Sequence, residues 1–199
     1  MKLNAFELRR LEEERARGVI RKIKRNPIYF ILEDIYDTYN IGGLFRLADA
    51  LAIEKMYLVG ETETPPNSRI KKASIGTYKV VPWEYKKTAK EALESIKDNV
   101  ELITDKKIKK YRNTLQVTHS TLQIIAVEQH KKSIPYNKAS YYFPLALIFG
   151  NESFGVKEET LKLVHQIVEI PMYGINRSLN VIVAAAIVGF FVIEKISDF

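Results

Sequence analysis

From Pro27 onwards the chain alternates short, β-branched apolar runs with helical patterns, and no other feature constrains its fold as strongly. Ile28 to Leu32 reads as a strand, Ile41 to Leu51 as a helix and Lys55 to Val59 as the next strand. Strand, helix, strand in that order is a βαβ unit, whose crossover makes the two strands parallel. Further strands are expected at Leu122 to Val127, Leu145 to Phe149 and Ile167 to Ile170, and further helices at Thr88 to Lys97, Val156 to Val164 and Val181 to Ile193. The expected architecture is α/β, a mostly parallel buried sheet with helices on both faces. Thr62 to Ser74, containing Pro65 and Pro66, and the lysine-rich stretch Asp105 to Thr114 read as polar, mobile surface loops.

The segment before this alternation differs in character. Arginine and lysine crowd the first 25 residues, with Ala16, Val19, Ile20 and Ile23 at helical spacing, which predicts a basic amphipathic helix. Asn26-Pro27 breaks the pattern, because the residue before proline is biased towards extended backbone. The chain is thus read as a basic helical extension over residues 1–25 and one α/β domain over 26–199. A formal charge of +7 favours polyanionic partners through counterion release, although a lysine-rich solvated surface produces the same charge. The chain has no cysteine, which excludes disulfides, cysteine-ligated zinc and thiol nucleophiles. His119, His130 and His165 have no ligand spacing, so no metal is expected. The longest apolar run, Val181 to Ile193, falls short of the ~20 residues that span a bilayer, and no apolar signal segment is present. A soluble, cytoplasmic protein is expected.

Three constellations carry polar groups where such a fold binds ligands. Asn40 to Ala50 follows the first strand with Asn40 as a candidate helix N-cap, Gly42 and Gly43 in the opening turn, and Arg46 beyond. Glycines there are unfavourable by roughly 1 kcal/mol each, so close backbone approach to something is inferred. The bland reading is a plain helix start with a solvated arginine. Ala146 to Val156 is an apolar strand that empties into Gly150-Asn151-Glu152-Ser153-Phe154-Gly155, at the end of a strand where open α/β sheets place ligands. An ordinary turn with a solvated Glu152 is the equal alternative. In the third, a strand ends at Ile170-Pro171-Met172 and a polar loop leads through Ser178, Leu179 and Asn180 into an alanine-rich helix, expected to be buried on nearly all sides. Simple helix capping by Ser178 and Asn180 is the bland reading here.

Taken in order, these segments resemble the SpoU/TrmH family of RNA ribose 2′-O-methyltransferases within the SPOUT superfamily. The family's Asn-x-Gly-x-x-x-Arg pattern is matched by Asn40, Gly42 and Arg46, its Gly-x-Glu-x-x-Gly by Gly150, Glu152 and Gly155, and its Ile-Pro-Met with Ser-Leu-Asn-Val by Ile170 to Met172 and Ser178 to Val181. The resemblance runs from about Pro27 onwards. It implies a C-terminal trefoil knot, a rare exception to the rule against threaded chains. It implies S-adenosylmethionine as cofactor, held largely by the backbone of Val127, Gly150, Ile170, Met172, Ser178 and Leu179. It also implies a tRNA or rRNA substrate, a homodimer, and Arg46, Asn40, Glu152, Ser178 and Asn180 as the catalytic group. Arg46 would face the ribose hydroxyl, Glu152 would orient Arg46 or the RNA, and Asn40, Ser178 and Asn180 would fix the hydroxyl or the loop. Ile182 departs from the small hydroxyl residue often found there, and the resemblance names no particular nucleotide.

Two other classes compete. A nucleotide-binding oxidoreductase would need Gly-x-Gly-x-x-Gly after the first strand, which is missing. A non-catalytic RNA-binding module of the same fold is opposed by the intact Arg46, Glu152, Ser178 and Asn180.

Overall fold

The computed structural model describes residue 4, residues 24–111 and residues 121–197. Seven strands form one sheet in the order β3-β2-β1-β6-β4-β7-β5: β1 Asn26–Glu33, β2 Ile53–Val59, β3 Trp83–Lys86, β4 Gln123–Val127, β5 Ile134–Pro135, β6 Leu145–Phe149 and β7 Gln166–Glu169. Every pairing is parallel, as the βαβ reading requires. The five helices among the described residues are α1 Thr38–Ala50, α2 Ser68–Ser74, α3 Ala89–Tyr111, α4 Glu158–Leu161 and α5 Val181–Ser197.

β1 is central, with Ile31 in register with Tyr57 on one side and Ile148 on the other, so both its faces are covered. Ile28, Phe30 and Leu32 point into the core shared with α1 and α5, while Tyr29 and Ile31 join α3 and Val156 on the opposite face. This two-sided burial explains why the run is apolar throughout instead of alternating. The order also explains the position of the site. The chain proceeds outwards from β1 to β2 and β3, then crosses to β4 on the other side and returns to insert β6 between them. Such a reversal opens a crevice at the carboxyl ends of the strands.

Several helices differ from the sequence expectation. Polarity and paired prolines predict a loop from Thr62 to Ser74, yet α2 occupies its second half because Asn67 caps the helix, accepting hydrogen bonds from the N–H groups of Arg69 and Ile70 at 2.9 and 3.3 Å. The helix expected to end near Lys97 continues to Tyr111, absorbing most of the second predicted loop; lysine and glutamate are good helix formers whatever their polarity. By contrast, the expected helix from Val156 to Val164 shrinks to the four residues of α4. Finally, α5 is not buried on nearly all sides. Val181, Ala185, Val188 and Val192 form its buried stripe, whereas Val183 and Phe190 are exposed.

The expected basic helix lies almost entirely outside the described residues. Arg25, the last residue of that segment, is nevertheless tied to the domain: its guanidinium donates to the Ile53 carbonyl at 2.9 Å and to the Val80 carbonyl at 2.6 Å. Among the described residues no helix is long and apolar enough to cross a membrane.

Candidate active site

At the carboxyl end of β1, buried Glu33 accepts from the backbone N–H of Lys157 at 3.0 Å and from the Thr160 hydroxyl at 2.7 Å, anchoring α4. Asp34 follows in left-handed backbone, φ 53°, a region aspartate tolerates better than most residues. Its carboxylate pairs with the Lys157 ammonium at 2.6 Å, and that contact raises the lysine's pKa above its ordinary value. Its carbonyl accepts from the Asn151 side chain at 2.7 Å. Asn151 in turn accepts from the N–H groups of Ser153 and Phe154 at 2.8 and 3.0 Å and exchanges two backbone hydrogen bonds with Gly155. The loop that carries Glu152 is therefore fixed from within. A Cβ built on Gly150 would lie 2.2 Å from the backbone of Gly155 and Val156, so the loop closes on itself only with glycine there.

The glycines of the first constellation have a packing role. A Cβ on Gly42 would meet the Ala73 Cβ at 2.4 Å, and one on Gly43 would meet the Ile182 side chain at 2.3 Å. The inferred close approach is therefore to α2 and α5. Ile182, the departure from the family pattern, fills the space that Gly43 leaves.

Asn40 is not the N-cap of α1. Asp37 holds that position, its side chain accepting from the Tyr39 N–H at 2.8 Å, which frees the Asn40 amide for tertiary contacts. Buried Asn40 donates through Nδ2 to Glu152 Oε1 at 2.9 Å and accepts at Oδ1 from Asn180 Nδ2 at 2.9 Å. Asn180 Oδ1 accepts from the Ile182 N–H at 2.8 Å, so Asn180 also caps α5. The result is one directed chain, from the α5 N-terminus through Asn180 and Asn40 to the Glu152 carboxylate. Flipping either amide would set oxygen against oxygen, so both orientations are determined. Glu152 thus pairs with Asn40, and Arg46 stands exposed with no hydrogen bond or ion pair among the described residues.

Beside this chain lies a cavity of about 380 Å³, within the range of small-molecule sites. It opens where β4, β6 and β7 end, and all six residues expected to hold a cofactor line it: Val127, Gly150, Ile170, Met172, Ser178 and Leu179. Glu152 and Ser178 of the expected catalytic group line it too, whereas Arg46, Asn40 and Asn180 do not. Sequence reasoning missed Glu128, Gln129, Glu169 and Arg177 in the walls. Glu128 accepts from the Val156 N–H at 2.8 Å, and Gln129 donates to the Arg177 carbonyl, tying the loop after β7 back to the end of β4. The positions of Glu128 and Gln129 immediately after β4 were the only available signal for those two. Three wall carboxylates, Glu128, Glu152 and Glu169, suit a cationic sulfonium and ammonium, with Arg177 available for a carboxylate. A dinucleotide's anionic pyrophosphate would meet that set unfavourably. Among the described residues no cluster could hold a metal ion.

A doubly covered parallel sheet with a loop-walled, cofactor-sized cavity at its carboxyl edge defines a ligand-binding α/β protein. The SpoU rRNA Methylase family model matches residues 27–117 and 99–190, and the chain belongs to that family. It is similar to the tRNA (guanosine(18)-2′-O)-methyltransferase of Thermus thermophilus, 26% identical over 185 residues that cover 92% of this chain and 84% of the relative. The 23S rRNA (guanosine-2′-O-)-methyltransferase RlmB of Haemophilus influenzae is 25% identical over 172 residues, 86% of this chain and 61% of that one. In fold it resembles the crystal structure of the Aquifex aeolicus TrmH/SpoU tRNA modifying enzyme, with TM-score 0.70 at 23% identity, covering 97% of this chain and 84% of that chain. The SpoU methyltransferase AviRb from Streptomyces viridochromogenes in complex with AdoMet gives TM-score 0.71 at 18% identity, covering 89% and 63%.

Proposed function

We infer that this protein methylates a ribose 2′-hydroxyl in tRNA or rRNA, with S-adenosylmethionine as cofactor. The observation that carries the reading is the convergence of three distant segments, through Asn40, Glu152 and Asn180, into one hydrogen-bonded chain at the lip of a cavity lined by every residue expected to hold that cofactor. Family membership and the named activities of the relatives support it.

The cofactor supplies a methyl group already activated on a sulfonium. The protein's task is to align the hydroxyl for in-line attack and to stabilise its developing negative charge. Arg46 suits that charge, since its planar, delocalised guanidinium is uncommitted among the described residues. The Asn180–Asn40 chain holds one Glu152 oxygen and leaves the other to accept from the hydroxyl or from Arg46. Ser178, on the cavity wall, offers a hydroxyl to the cofactor or the ribose. The exposed apolar face of α5, with Val183 and Phe190, supports a homodimer, and an RNA substrate supports a cytoplasmic location.

Labelled S-adenosylmethionine incubated with the protein and total RNA from cells lacking it should mark one nucleotide, resistant to alkaline cleavage at its 3′ phosphate. Calorimetry showing no binding of the cofactor or its demethylated product at millimolar concentration would falsify the assignment.

A further inference from the structure

Ten large apolar side chains stand strongly exposed among the described residues, and six of them, Tyr36, Tyr39, Phe154, Tyr173, Ile175 and Leu179, lie on the three segments around the cavity. Phe154 combines three properties that the others do not share. Its ring is 85% exposed yet borders the cavity. Its backbone is fixed, the N–H donating at 3.0 Å to the side chain of buried Asn151, which is itself anchored on the Asp34 carbonyl. It also stands two residues from Glu152, the end of the Asn180–Asn40 chain.

The fold does not require this ring. Phe154 has none of the left-handed backbone that restricts residue choice, and a polar side chain would meet the loop's hydrogen bonding equally well. An aromatic side chain displayed from a fixed backbone beside a cofactor-sized cavity, with Arg177 on the same walls, has the composition of a stacking platform. The two residues before it, Glu152 and Ser153, are exposed and polar, which suits a nucleobase, flat on its face and polar at its edge.

We propose that Phe154 stacks on the base of the nucleotide whose ribose is methylated, holding that ribose over Glu152. This rests on the RNA-methylating function inferred above and narrows its substrate class. In a duplex both faces of a base are covered by its neighbours, so a stacking residue at the reaction site selects an unpaired or extruded nucleotide.

Steady-state methylation of pooled tRNA and rRNA from cells lacking the enzyme, with the full chain and labelled cofactor, tests the assignment. Phe154→Ala and Phe154→Leu should each raise KM for RNA on the order of ten- to a hundredfold, and Phe154→Trp should recover most of the loss. Calorimetric Kd for S-adenosylhomocysteine and the sedimentation coefficient should be the same in all variants. The proposal is overturned if Phe154→Leu equals the unmodified protein, if cofactor Kd weakens in step with KM, or if Phe154→Ala changes the oligomeric state. Absence of methyl transfer to either RNA pool by the unmodified protein would instead overturn the function inferred above. Stacking is then read from quenching of a single-stranded RNA carrying 2-aminopurine: quenching by the unmodified protein and not by Phe154→Ala supports it, and equal quenching by both overturns it.

Discussion

Arg46 is the residue to which we assign the developing charge on the ribose oxygen, and its environment suits that role. A guanidinium bound to a carboxylate would have part of its charge compensated before the RNA arrived, but Arg46 is uncommitted among the described residues. Arg46→Ala should therefore lower turnover by about 10²- to 10³-fold, the usual effect of removing one donor to a developing oxyanion. Cofactor affinity should stay within twofold by calorimetry, since Arg46 does not line the cavity. Arg46→Lys should fail almost as badly, because an ammonium cannot reproduce the planar fork of donors. Unaltered single-turnover rates in either variant would remove Arg46 from the mechanism. At this scale the sequence marked Asn40, Glu152 and Asn180, which the fold joins, but gave no sign of the bonds that join them. Asn40 reads as a helix cap, and only the placement of Asp37 three residues earlier releases its amide for Glu152 and Asn180.

Among the elements, the loop from Gly150 to Gly155 is the most constrained, and two glycines separate packing from freedom. Gly150→Ala would put a Cβ 2.2 Å from backbone atoms that cannot yield without opening the loop, and should cost about 1–3 kcal/mol together with cofactor affinity. Gly174→Ala, where nothing lies within 4 Å, should change stability by less than about 0.5 kcal/mol. Thermal melting with and without S-adenosylhomocysteine measures both; equal effects at the two positions would show that the loop does not rely on that close approach. Five of the seven strands were legible nearly residue for residue, since β1, β2, β4 and β6 are buried on both faces and β-branched runs declare this directly, whereas the short, half-exposed β3 and β5 carry no such run and were missed. Helices were less so. The caps of α2 and the length of α3 rest on local hydrogen bonding and propensity, which apolar periodicity does not report. The uniform apolarity of α5 likewise points to full burial, whereas the domain covers one stripe of it.

For the whole molecule, we propose that the basic N-terminal segment holds RNA and that the domain beginning at Arg25 carries cofactor binding. Because Arg25 bridges Ile53 and Val80, a truncation should stop at Lys24. Removing residues 1–24 should leave thermal melting and cofactor binding unchanged and weaken RNA binding. The salt dependence of that binding should become shallower, by roughly 0.7–0.9 in log–log slope for every phosphate the segment neutralises. Equal affinity and slope in the two proteins would eliminate the RNA-holding role, and a truncated protein that no longer folds or dimerises would place the segment in the structural core. The sequence alone determined the fold class, because alternating apolar runs of strand and helix length have one economical solution, a parallel sheet buried between helices. It also marked the three segments that form the site, through the glycines and polar residues that break those runs. Only the tertiary structure decided which atoms meet. Glu152 and Asn180 lie 112 and 140 residues from Asn40 along the chain, and their contact with it depends on β6 inserting beside β1, a pairing that local sequence pattern does not encode.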